Sequence, residues 1–173
     1  MQAEMKQTSI ADAIVMEMDQ EAEATKRLFN VIPEDKLGWR PHPKAMTLGE
    51  LALHIATIPG SVAELAAKDT HEADQIPGPE QAASVEQIKA AFDESLEKGK
   101  SIVAATSDAE AFAEWSLTKE SATILAMPRM AFWRSILLNH NYHHRGQLST
   151  YLRELDVALP SIYGPSADTN PFA

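Results

Sequence analysis

Among the six histidines of this chain, His140 and His144 stand four residues apart. In an α-helix that spacing puts both rings on one face, one turn above the other. Two imidazoles can then reach one divalent ion without the entropic cost of ordering a loop. The same spacing also suits a pair that faces solvent or simply hydrogen-bonds. The surrounding residues bear on the choice: Met130, Trp133, Leu137, Leu148, Tyr151 and Leu155 continue the row on both sides, so the rings are expected to face the core. A buried imidazole needs partners for its nitrogens, and a single ion satisfies two rings while keeping both neutral. His54 occupies a comparable row with Leu51, Ile55 and Ile58, as either a third ligand or a core residue donating to a carbonyl. Three histidines from two helices would leave an ion at least one open position. His143 lies about 100° round the helix from His144, which gives it a surface, interface or supporting role. His42 and His71 fall in segments that read as loops, with nothing to place either beside the other three.

Other polar residues near these positions have competing uses. Glu50, one turn before His54, closes the sequence Thr47-Leu48-Gly49-Glu50, a capping box in which hydroxyl and carboxylate satisfy each other's backbone N–H. It is also the candidate catalytic residue, placed for proton transfer or for orienting a ligand. Arg145 suits an anionic substrate or a salt bridge, Gly146 suits the close approach of another helix, and Gln147 suits a polar network. Tyr151 either lines a pocket or packs. Cysteine is absent, so any metal is held by nitrogen and oxygen, a donor set compatible with nickel, zinc, iron or manganese.

Helices are expected to position these residues. The first runs from about Ser9 to Phe29, with Ile10, Ile14, Met18 and Leu28 at helical spacing. Leu37 to Pro43 is an ordered loop, because two prolines flank His42, and Trp39 is expected to seal one end of the core. The second helix starts at the Thr47 box, and Pro59-Gly60 either kinks or ends it. After a connector from His71 to Pro79, Ser84 caps a third helix ending near Ala104. From Asp108 to Met127, Phe112 and Trp115 are candidate core anchors, and Leu117 to Leu125 is either a short hairpin or irregular. Pro128 opens the last long helix, and the tail from Pro160 to Asp168 is expected to lie over the helices. Four main helices and one long connection point to an all-α bundle.

The chain has 173 residues, which fits one domain spanning residues 1–173. With 25 acidic and 15 basic residues it carries a formal charge of −10. That surface repels a phosphate backbone, and no basic cluster offsets it, so no nucleic-acid partner is expected. Glu4, Lys6, Asp12 and Glu17 interrupt the first residues, which leaves no apolar secretory core. No stretch reaches the length of a membrane helix. A cytoplasmic protein without membrane association is the expectation.

The segment Asn139-His140-Asn141-Tyr142-His143-His144-Arg145-Gly146-Gln147-Leu148 resembles the signature of the DinB family, also grouped with YfiT-like metal-dependent hydrolases. Trp39-Arg40-Pro41-His42-Pro43-Lys44, the stretch from Thr47 to His54 and the tail from Ser161 to Asp168 are also similar to that family. The resemblance implies a four-helix bundle with a long crossover between helices two and three. It implies one metal ion, nickel or zinc foremost, on positions matching His54, His140 and His144. It further implies a homodimer acting on a small molecule, with a low-molecular-weight thiol as one candidate. The expected function is that of a metal-dependent hydrolase or thiol-dependent transferase. The alternative is a non-catalytic stress or interaction protein in which the metal is structural.

Overall fold

Local capping sets where the long helices begin. In the computed structural model, which describes residues 8–172, Ser9, Thr47 and Ser84 each accept the backbone N–H three residues on, at 3.0 Å in all three cases. They start α1 (Ile10–Phe29), α2 (Leu48–Ala66) and α3 (Val85–Ala104). A short α4 (Asp108–Phe112) follows. The last helical rod is built from α5 (Arg129–Phe132), a π-helical stretch (Trp133–Asn139) and α6 (His140–Glu154), which run on without a break. The expected lack of a secretory core falls in part on residues 1–7, outside those described. No helix among the described residues is long and apolar enough to cross a membrane.

The expectation of an all-α fold is corrected: the chain is predominantly helical but carries a three-stranded sheet. Its strands β1 (Thr70–Glu72), β2 (Glu114–Lys119) and β3 (Ala122–Pro128) lie in the order β1-β2-β3, the first pair parallel and the second antiparallel. The hairpin turns through Glu120 and Ser121, both with positive φ (50° and 66°), as a two-residue loop matching strand twist requires. The Glu72 carboxylate holds this turn by accepting from Ser121 N–H at 3.0 Å and from the Thr118 hydroxyl at 2.6 Å. The connection between α2 and α3 thus contains a strand of the sheet rather than plain loop, and His71 belongs to β1.

The buried apolar residues of the helices and of β2 form one cluster, including Leu28, Leu51, Ile55, Ile88, Trp133 and Leu148. Trp115 anchors β2 in it, stacked on Phe132 at 3.9 Å between centroids. Phe112, the other expected anchor, is instead 62% exposed. Trp39 packs edge-on against Tyr151 at 5.6 Å. Arg129 is buried and donates to the Ala66 and Glu110 carbonyls, which ties the carboxyl end of α2 to α4 with a favourably placed cation.

Helix α2 continues through Pro59-Gly60. Proline has no N–H for the carbonyl four residues back, and that carbonyl, Ile55 O, instead accepts from Asn141 Nδ2 of α6 at 3.1 Å. Ser95 of α3 accepts from Gly60 N–H at 2.8 Å and donates to Thr57 O at 2.9 Å. Gly99 completes this junction, since a Cβ there would stand 2.5 Å from the Pro59 carbonyl oxygen. Gly146, expected at a close helix contact, has open space beside it.

Candidate metal centre

Helices α2 and α6 meet at the Asn141–Ile55 hydrogen bond, and each of these residues directly follows a histidine. The bond therefore fixes the axial register of His54 against His140. His54 lies two turns into α2, clear of its capped end. His140 and His144 occupy the first turn and a half of α6. Ring centroids are 5.3 Å apart for His54–His140, 4.7 Å for His54–His144 and 4.4 Å for His140–His144. One nitrogen from each ring lies within 4.8 Å of the other two.

The outward nitrogen of His144 shows which way its lone pair points. His144 Nδ1 lies 2.7 Å from Gln147 Oε1, an acceptor, so its proton sits on that side. Gln147 thus fills the polar-network role its sequence position suggested. His140 Nδ1 is buried with no hydrogen-bond partner. The Nε2 atoms of His140 and His144 lie 2.7 Å apart. This donor set fits a divalent ion bound through neutral imidazoles.

Burial lowers the pKa of all three rings, and repulsion from neighbouring histidines in the charged state adds to it: from His140 at His54, from His143 at His140, and from all three of the others at His144. His144 is the extreme, brought down to about 4, with the Gln147 contact opposing the shift. The rings are therefore neutral, the form a metal requires, over the whole physiological range. His143 is exposed with its ring 5.0 Å from His144, outside the converging set as expected.

The remaining polar residues sort by contact. Glu50 Oε2 accepts from Thr47 N–H at 2.7 Å, completing the capping box. Arg145 is buried and donates to Glu21 Oε2 at 2.5 Å and to the Glu21 carbonyl at 3.0 Å. It also meets the hydroxyl of Tyr163, which brings the tail onto α1 and α6. That ion pair occupies the guanidinium and replaces the expected option of an anionic substrate.

His54 and His140 form part of the wall of a cavity of ≈ 1000 Å³ between α2, the sheet, the last rod and residues 75–80. His71 lines it too, with a buried Nε2 that has no partner. Sequence reasoning missed His71, because a three-residue parallel strand carries no periodic signal of its own.

The DinB family matches residues 1–170 of the chain. Among curated proteins, the uncharacterized protein YrdA of Bacillus subtilis (strain 168) is 26% identical over 157 residues, covering 86% of this chain and 84% of that protein. A solved DinB-like protein from Bacillus subtilis matches with a TM-score of 0.69 at 22% identity, covering 87% of this chain and 97% of that one. A second, from Bacillus cereus ATCC 10987, gives 0.64 at 22% identity, covering 88% and 97%. At these identities the structural likeness bears on the fold alone.

Proposed function

The chain belongs to the DinB family, and on that premise we propose that it is a metal-dependent enzyme acting on a small molecule, by hydrolysis or by thiol-dependent transfer. His54, His140 and His144 hold one divalent ion, with nickel or zinc favoured by the family resemblance and iron or manganese also compatible with the donor set. The observation that carries this reading is the convergence of three neutral imidazole nitrogens, two of them, from His54 and His140, in the wall of a large cavity. When bound, the ion supplies Lewis acidity to a carbonyl, a water or a thiol. The protein's part is to hold the imidazoles neutral through burial, to orient His144 through Gln147, and to enclose the reacting groups. Glu50 keeps the start of α2 in place, one turn before His54, and is the proposed proton-transfer residue. The cavity favours this reading over a purely structural ion, which needs no adjoining space. A cytoplasmic homodimer completes the proposal, and sedimentation of the purified protein tests its oligomeric part.

The test is metal analysis of protein purified without a histidine tag, followed by zinc and nickel titration of the chelated form. One ion per chain is expected for the native protein and far below one for His140→Ala and His144→Ala. Unchanged stoichiometry in these variants overturns the site. Turnover of an ester, amide or thiol conjugate, lost together with the ion, tests the enzymatic part.

A further inference from the structure

The cavity beside the histidines is elongated. Its α2 wall is one helical face, running from Leu53 and His54 through Ile58 and Val62 to Leu65. Eleven residue steps separate His54 from Leu65 (65 − 54), which is roughly 16 Å at the rise of an α-helix. The facing walls add Ile102, Trp115, Leu117, Phe132 and Ile136. Its volume of ≈ 1000 Å³ is at the upper end of small-molecule sites.

Thr57, Ser61 and Trp115, in the middle of this wall, direct their hydrogen bonds away from the cavity, while Glu64, Lys68, His71, Gln75 and Glu80 also line it. The Thr57 hydroxyl donates to the Leu53 and His54 carbonyls at 3.1 and 3.2 Å. Ser61 donates to Thr57 O at 2.8 Å, and Trp115 Nε1 donates to Leu65 O at 3.0 Å. Each donates to a backbone carbonyl of α2. Along this apolar stretch a strongly hydrated ligand would lose its water without gaining hydrogen bonds from these three side chains in return.

We infer that the cavity takes a substrate of the acyl-chain class, an elongated alkyl body lying along α2 with its reactive polar head at His54 and His140. The position of the head rests on the metal-enzyme reading above. The apolar groove stands on its own walls. A compact polar thiol, where the reaction uses one, approaches the head and does not fill the groove.

The probe is cis-parinaric acid, a fluorescent polyunsaturated fatty acid, titrated into metal-free protein in the presence of chelator. One saturable site per chain is expected. Hexanoate, octanoate, decanoate and dodecanoate should displace the probe with affinity rising by roughly fourfold per methylene. Ile102→Trp fills the groove and should weaken the probe at least tenfold, with Leu65→Trp as a second blocking variant should the first not fold. Absence of saturable binding, a flat chain-length series, or full binding by a folded blocking variant overturns the inference. Zinc titration of the same native protein separates the two claims, since the probe is read in the absence of metal. Metal binding without probe binding sinks the groove and leaves the metal site standing. The converse result sinks the metal site alone.

Discussion

Replacing Asn141 by Leu should weaken both the fold and the metal site, by an amount that Pro59 sets. Asn141 Nδ2 donates at 3.1 Å to the Ile55 carbonyl, which has no helical partner because residue 59 is proline. Leucine keeps the volume and removes the donor. A buried carbonyl left unpaired costs about 1–3 kcal/mol, and part of that is offset by the added apolar contact. A net loss of about 2 kcal/mol lowers the Tm of a chain this size by roughly 4–8 °C. Pro59→Ala restores an N–H four residues after Ile55, so the carbonyl then has a partner within α2. In that background the same Asn141→Leu change should cost under about 1 kcal/mol, a coupling of about 1 kcal/mol or more between residues on different helices. Urea melts of the four proteins, chelated throughout, read the cycle. Zinc titration gives a second readout: loss of the bond that registers His54 against His140 should weaken binding by about tenfold or more. Equal costs in the native and Pro59→Ala backgrounds would refute this account of α2.

The depressed histidine pKa values predict acid lability of the metal-free protein. Each ring binds a proton less readily folded than unfolded, so their contribution to stability is present in full above pH 6.5 and is lost as pH falls toward about 4 for His144. Melts between pH 4 and 8 should show Tm rising up to about pH 6.5, with the slope reduced in His144→Phe. Gly99→Ala should destabilise by about 1–3 kcal/mol, because the new Cβ meets the Pro59 carbonyl oxygen at 2.5 Å. That sign is opposite to the gain helix propensity alone predicts, and a melt decides between them. Glu50→Gln preserves a capping box while removing the base, so it should leave Tm within about 2 °C and reduce kcat by about 100-fold or more. An unchanged kcat confines Glu50 to the cap.

What could be read from the sequence was local or periodic. The hydroxyls of Ser9, Thr47 and Ser84 announce their helices because a cap bonds only three residues ahead. The i, i+4 pair His140 and His144 was legible for the same reason, and its apolar row pointed it inward. The sheet was hard to see because its turn uses Glu120-Ser121 in place of the glycine-bearing pairs that mark tight hairpins. Strand β1 is short and pairs with residues more than forty positions away, a contact that no local pattern encodes. Arg129, Asn141 and Arg145 read as surface residues by type, yet all three are buried. Their partners are carbonyls and a carboxylate on other elements, which only the assembled chain reveals.

The seven residues from Trp133 to Asn139 act as a phase adjustment in a screw. Here His140 N–H reaches back five residues to Ser135 O, so the wider turn changes the angle at which everything beyond it emerges. Letting this stretch relax to a regular α-helix with all seven residues kept would turn α6 by about 100° relative to α5, since each wide turn holds about one extra residue. His140 and His144 would remain an intact pair, four apart on their own helix, yet point away from His54. Shuffled or truncated versions of this rod should therefore be judged by their count of residues between Phe132 and His140, because a sequence with every ligand present can still be out of phase.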